Sequence, residues 1–101
     1  MARVIFATIS ELNKDASPLV KEAEKTNTQV VITKRGKPAG LLRKVMASDR
    51  GRTETVTNMI NRANELLSSI EKGHGPVIIT RNNLPIVVLK SISSKAFSIK
   101  E

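Results

Sequence analysis

The chain has 101 residues, no cysteine and a net charge of +8, from 17 Lys and Arg against 9 Asp and Glu. It fits one compact domain or two very small units that share a core, and it lacks both the thiols for disulfides or thiolate zinc sites and the roughly 20 consecutive apolar residues of a membrane span. With Phe6 and Phe97 its only aromatics, base stacking of the kind single-strand readers use is disfavoured, whereas the cationic excess fits either a polyanionic partner, nucleic acid above all, or a merely soluble basic surface.

In chain order, Arg3 to Thr8 reads as a first strand. The opening MARVIFATIS is too short and too interrupted for a signal peptide, so a cytoplasmic location without membrane contact is expected. Ser10 stands where a helix N-cap belongs, and Leu12, Ala16, Leu19, Val20 and Ala23 follow at helical spacing. Ser17-Pro18 reads as a cap and a first-turn proline, which predicts a break into two short helices near residues 15–17. After a loop come the β run VVIT, a tight turn KRGK containing Gly36, and a strand AGLLRKV opened by Pro38. Residues 46–53 read as an exposed linker.

The second stretch repeats the first. Residues 54–56 form a short strand, Thr57 a cap, and Met59, Ala63, Leu66, Leu67 and Ile70 an apolar helix face. A Gly-His-Gly-Pro loop leads to VIIT, a turn RNNL containing Asn83, and a strand IVVLKSI opened by Pro85. A short tail, 93–101, holds FSIK as a candidate edge strand. Shifting the sequence by forty-seven positions superposes the copies without a gap. Thr8/Thr55, Ala16/Ala63, Leu19/Leu66, Glu24/Glu71, Val30/Val77, Ile32/Ile79, Thr33/Thr80, Pro38/Pro85 and Leu42/Leu89 are identical pairs, and the other apolar positions keep their phase. A tandem duplication is therefore expected, with repeats at 1–47 and 48–101 packed into one composite unit. The fold class is α+β, built from two tandem β-α(α)-β-β repeats.

No catalytic constellation is present, so the chain reads as a non-enzyme without metal or cofactor. Its one histidine, His74, lies in a Gly-flanked loop and reads as solvated. Basic residues gather at two places per copy. One is the helix opening, with Ser10, Asn13 and Lys14 in the first copy and Thr57, Asn61 and Arg62 in the second. The other is the hairpin tip, with Lys34, Arg35 and Lys37, then Arg81 and Asn82. Helix openings offer amides to phosphate, and Arg, Lys and Asn match groove edges. The same residues are ordinary turn formers, so the pattern by itself fits both DNA contact and plain turn chemistry.

Each copy also resembles the N-terminal DNA-binding domain of Phd/YefM-type antitoxins. The likeness lies in Ile9-Ser10-Glu11-Leu12 and VVITKRGKPAGLL in the first copy, and in Ile70-Glu71 and VIITRNNLPIVVL in the second. It implies a β-α-α-β-β fold that forms two-fold dimers on palindromic operators, here an intramolecular Phd/YefM-like pseudo-dimer acting as a repressor on double-stranded DNA. It places the family's DNA-contacting positions near Lys14, at Asn61 or neighbouring Arg62, and at Thr33-Lys34 and Thr80-Arg81. Family members carry a C-terminal arm that wraps around a toxin, and in this chain the second copy stands in that place. The copies differ at the contact positions: ten cations against five acids over 1–50 give +5, and seven against four over 51–101 give +3. A toxin protein and self-association of pseudo-dimers are further expected partners. The alternative function is a protein-binding antitoxin or inhibitor that acts without DNA, and a basic structural adaptor is the rival to both.

Overall fold

The first strand, β1 (Arg3–Thr8), runs directly into a helix pair, α1 (Ile9–Lys14) and α2 (Ser17–Ala23). Strands β2 (Thr28–Lys34) and β3 (Lys37–Lys44) complete the first half. The second half repeats this order with β4 (Arg52–Thr55), α3 (Val56–Asn61), α4 (Ala63–Glu71), β5 (Val77–Arg81) and β6 (Leu84–Lys90). This computed structural model describes residues 3–25 and 27–92, so the FSIK stretch lies outside the described residues.

Helices α1 and α3 start where a side-chain oxygen can satisfy free backbone amides. Those oxygens belong to Thr8 and Thr55, not to Ser10 and Thr57. Thr8 Oγ1 accepts from the Glu11 amide at 3.1 Å, and Thr55 Oγ1 accepts from the Asn58 amide at 3.0 Å. Ser10 and Thr57 lie one residue inside the first turn, because each helix begins two residues earlier than its apolar spacing indicates. Glu11 returns a carboxylate to the Thr8 amide at 2.8 Å and closes a capping box. Asn58 stands in its place in the second half and makes no such return bond among the described residues.

The break between α1 and α2 falls where Pro18 predicts it, but the N-cap position of α2 is Ala16, without a side-chain bond, so Ser17 opens the helix and its amide donates to the Asp15 carboxylate at 3.1 Å. The second half breaks at the matching place, Arg62, although no proline marks it there. Strand β4 covers Arg52–Thr55, so Val56 opens α3 instead of ending the strand.

The strands form one six-stranded sheet in the order β1-β2-β3-β6-β5-β4. Within each half the first strand pairs parallel to the second, and the second antiparallel to the third. The registers coincide under the shift of forty-seven, with Ile5 facing Val30 as Arg52 faces Val77, and Val30 facing Leu42 as Val77 faces Leu89. Both hairpins carry a register slip just before the residue facing their proline, which has no amide for the ladder. The halves join through β3 and β6, antiparallel, with Leu42 facing Leu89. Leu42 and Leu89 are themselves forty-seven apart, so the strands join at matching positions of the two halves.

All four helices cover one face of this sheet. Val30, Ile32, Leu42, Val77, Ile79, Val87 and Leu89 join Leu12, Ala16, Val20, Met59, Leu66, Leu67 and Ile70 in a single buried cluster. The halves thus share one core, as units of this size must. One contact across them is unequal. A Cβ on Gly40 of β3 would stand 2.5 Å from Leu67 Cδ2 of α4, so glycine there admits the larger side chain. The matching positions, Val87 and Val20, carry two valines instead.

Residues 46–51 form a tied strap rather than a free linker. Arg43 grips Asp49 with both guanidinium nitrogens, at 3.0 and 2.8 Å, and Asp49 also accepts from the Met46 amide at 2.7 Å. The two side chains are only 15% and 11% exposed. The hydrogen bond from Arg43 holds the Asp49 carboxyl below its usual range, with the Met46 amide adding to it against the opposing effect of burial. Gly51 completes the strap, since a Cβ there would collide with the Pro76 carbonyl.

Candidate nucleic-acid interface

Both hairpins turn through two residues of positive φ, Arg35 (56°) with Gly36 (79°), and Asn82 (54°) with Asn83 (65°). Such turns match the right-handed strand twist and favour Gly and Asn. Gly36, Asn82 and Asn83 fit that preference. Arg35 does not, since a long side chain in left-handed backbone is uncommon.

The tips lie at opposite ends of the sheet, because β3 and β6 each start at a tip and pair antiparallel near their far ends. Lys37 is five residues from Leu42, and Leu84 is five from Leu89. At about 3.3 Å per residue the tips are ~33 Å apart along the strands, within a molecule whose longest extent is 41 Å.

Each tip borders the helix layer beside the other half's second helix. At the second tip, Arg81 Nη2 donates to Glu24 Oε2 at 2.8 Å, just past the end of α2. At the first tip, Lys34, Arg35, Lys37, Pro38 and Ala39 share a cleft of about 380 Å³ with Glu71, the last residue of α4. Glu24 and Glu71 are an identical pair of the repeat, and Arg81 and Lys34 a basic one. The arrangement is therefore reciprocal in place but unequal in chemistry. Among the described residues, Lys34, Arg35 and Lys37 have no carboxylate within ion-pair distance.

The helix-opening residues form a third patch. Helices α1 and α3 touch one another, which brings the exposed Ser10, Asn13 and Lys14 near the exposed Thr57 and Asn61 between the two tips. Arg62 is less available. Its guanidinium lies 3.4 Å from Glu54 and 3.5 Å from Glu65, and Glu54 also accepts from Asn58 Nδ2 at 3.1 Å. The equivalents of Glu54 and Arg62 are Ala7 and Asp15, so no spacing rule within the first copy points to this cluster.

Two sets of contacts leave little trace in the sequence. The Glu24–Arg81 pair spans fifty-seven residues, and only the identity of Glu24 with Glu71 hints at it. His74 is held in place, its Nδ1 3.1 Å from Ser69 Oγ, which accepts from Arg52 at 2.6 Å. Among the described residues no group of three or more His, Asp or Glu side chains could hold a metal, and no helix is long and apolar enough to cross a membrane. No protein-family model matches the chain, and neither a curated protein nor a solved structure does.

Proposed function

We propose that this chain is a single-chain pseudo-dimer that binds duplex DNA in sequence-specific fashion, an antitoxin-like repressor acting in the cytoplasm. The tandem repeats at 1–47 and 48–101 supply the two DNA-facing halves that separate chains of a dimer supply elsewhere. One observation carries the reading: two exposed hairpin tips, at positions forty-seven apart on either side of the Leu42–Leu89 pairing, lie ~33 Å apart along the strands. Half-sites of a two-fold reader lie about one helical turn apart, roughly 34–36 Å. The net charge of +8 and the likeness of VVITKRGKP to the Phd/YefM motif support the same conclusion.

The test is fluorescence polarisation of a labelled duplex over a salt series. Lys34→Ala with Arg81→Ala is expected to weaken binding and to flatten the log–log salt slope by roughly one unit per lost phosphate contact. Unchanged affinity and slope would sink the assignment.

One feature favours the reading of a protein-binding inhibitor. Val4 and Phe6 are exposed on β1, an edge strand, and apolar side chains beside a free strand edge suit an added strand from a partner. A small protein copurifying at fixed stoichiometry, with no salt-sensitive binding to duplex DNA, would decide for it.

A further inference from the structure

We infer that the two hairpin tips read different bases, so that the DNA site is asymmetric, with guanine under Arg35 at one end and adenine under Asn82 at the other. The inference rests on the duplex-DNA reading above and names the sequence class it implies.

Arg35 and Asn82 are structural equivalents. They are forty-seven apart, both exposed, and hold nearly the same backbone, φ 56° and 54°. Whatever groove one apex enters, the other enters in the same pose about one turn away. A two-stranded ribbon fits the major groove, where the guanidinium fork matches O6 and N7 of guanine and the carboxamide matches N6 and N7 of adenine.

Two independent observations support this pairing of residues with bases. First, left-handed backbone suits Asn and disfavours Arg, and Asn82 shows that Asn fits this turn. The turn alone therefore gives no reason for Arg35, and strain of this kind gathers at functional positions. Second, Arg81 is drawn to Glu24 at 2.8 Å, whereas the side-chain carboxamides of the exposed Asn82 and Asn83 make no hydrogen bond among the described residues. At the first tip no ion pair holds Lys34, Arg35 or Lys37 among the described residues, so two lysines remain to position the backbone while Arg35 reads the base.

The experiment is selection of bound duplexes from a randomised library by the full chain, by Arg35→Asn and by Asn82→Arg. Each variant places at one tip a residue that the other tip already carries at the same φ, so both should fold. The unaltered chain should select guanine at one end and adenine at the other, about ten base pairs apart. Arg35→Asn should turn the guanine end to adenine, and Asn82→Arg the reverse, each yielding a palindrome. Discrimination at the altered base pair should change roughly ten- to hundredfold. A palindrome selected by the unaltered chain, or preferences that neither substitution moves, would overturn the inference while leaving DNA binding intact. Failure of every form to retain duplex DNA at low salt would overturn both.

Discussion

The hairpin β2–β3 and the hairpin β5–β6 share register, bulge and turn geometry, yet end in different chemistry. The first tip carries Lys34, Arg35 and Lys37, whereas the second carries Arg81, Asn82 and Asn83, with its one cation turned to Glu24. Backbone geometry is set by features both copies keep: a proline that cannot donate, a two-residue turn and a run of β-branched residues. The exposed apex side chains contribute little to that geometry, so they are free to diverge. The two hairpins are alike in backbone geometry and unlike at their apices, where solvent, or a partner, decides.

The strongest test of that equivalence lies where β3 and β6 join. Leu42 and Leu89 are both fully buried and face each other. Leu42→Ala and Leu89→Ala should each cost about 2–5 kcal/mol, by similar amounts, measured by urea denaturation. A large difference between them would show that one half dominates the core.

A smaller effect probes where the halves have become unequal. Gly40→Ala should destabilise by about 1–3 kcal/mol, because its Cβ would press on Leu67. Leu67→Val in the same chain should restore part of the loss, and additive costs would refute that contact.

The strap supplies a pH-dependent difference, since only the first half contributes Arg43 to it. Asp49 has its folded pKa depressed by the Arg43 hydrogen bond. Its contribution is therefore fully present above the ordinary Asp value of about 3.9 and is lost as pH falls through the depressed value. Asp49→Asn should cost about 1–3 kcal/mol at neutral pH. It should also reduce the acid sensitivity of thermal unfolding, and an acid profile identical to that of the unaltered chain would remove Asp49 from that role.

The least effect on stability is expected from Glu24→Gln. The Glu24–Arg81 pair is exposed, so its loss should cost no more than about 1 kcal/mol. Freed Arg81 should nevertheless strengthen DNA binding and steepen the salt slope by about one unit. Unchanged binding would mean that Arg81 does not reach phosphate.

Much of the fold was legible because apolar phase and turn chemistry are local. The order of strands and helices, the break ahead of Pro18, and the turns at Gly36 and Asn83 follow from residues within a few positions of one another. Helix starts were less legible. Thr8 and Ser10 are both competent caps, and residue type does not choose between them. The site was legible as a set of residues but not as a surface. Lys34 and Arg81 mark the two tips in sequence, yet nothing local tells that each faces a glutamate from the other half.

The sequence by itself determined the match at a shift of forty-seven, most of the elements within each half and the unequal charge of the hairpin tips. Those are properties of neighbouring residues, and periodicity encodes them. Tertiary structure alone decided that β3 and β6 join at Leu42 and Leu89, that Gly40 admits Leu67, and that Glu24 captures Arg81. These depend on which apolar faces meet to close a core too small for either copy alone. That choice brings together residues twenty-seven to fifty-seven positions apart, beyond the reach of any local pattern.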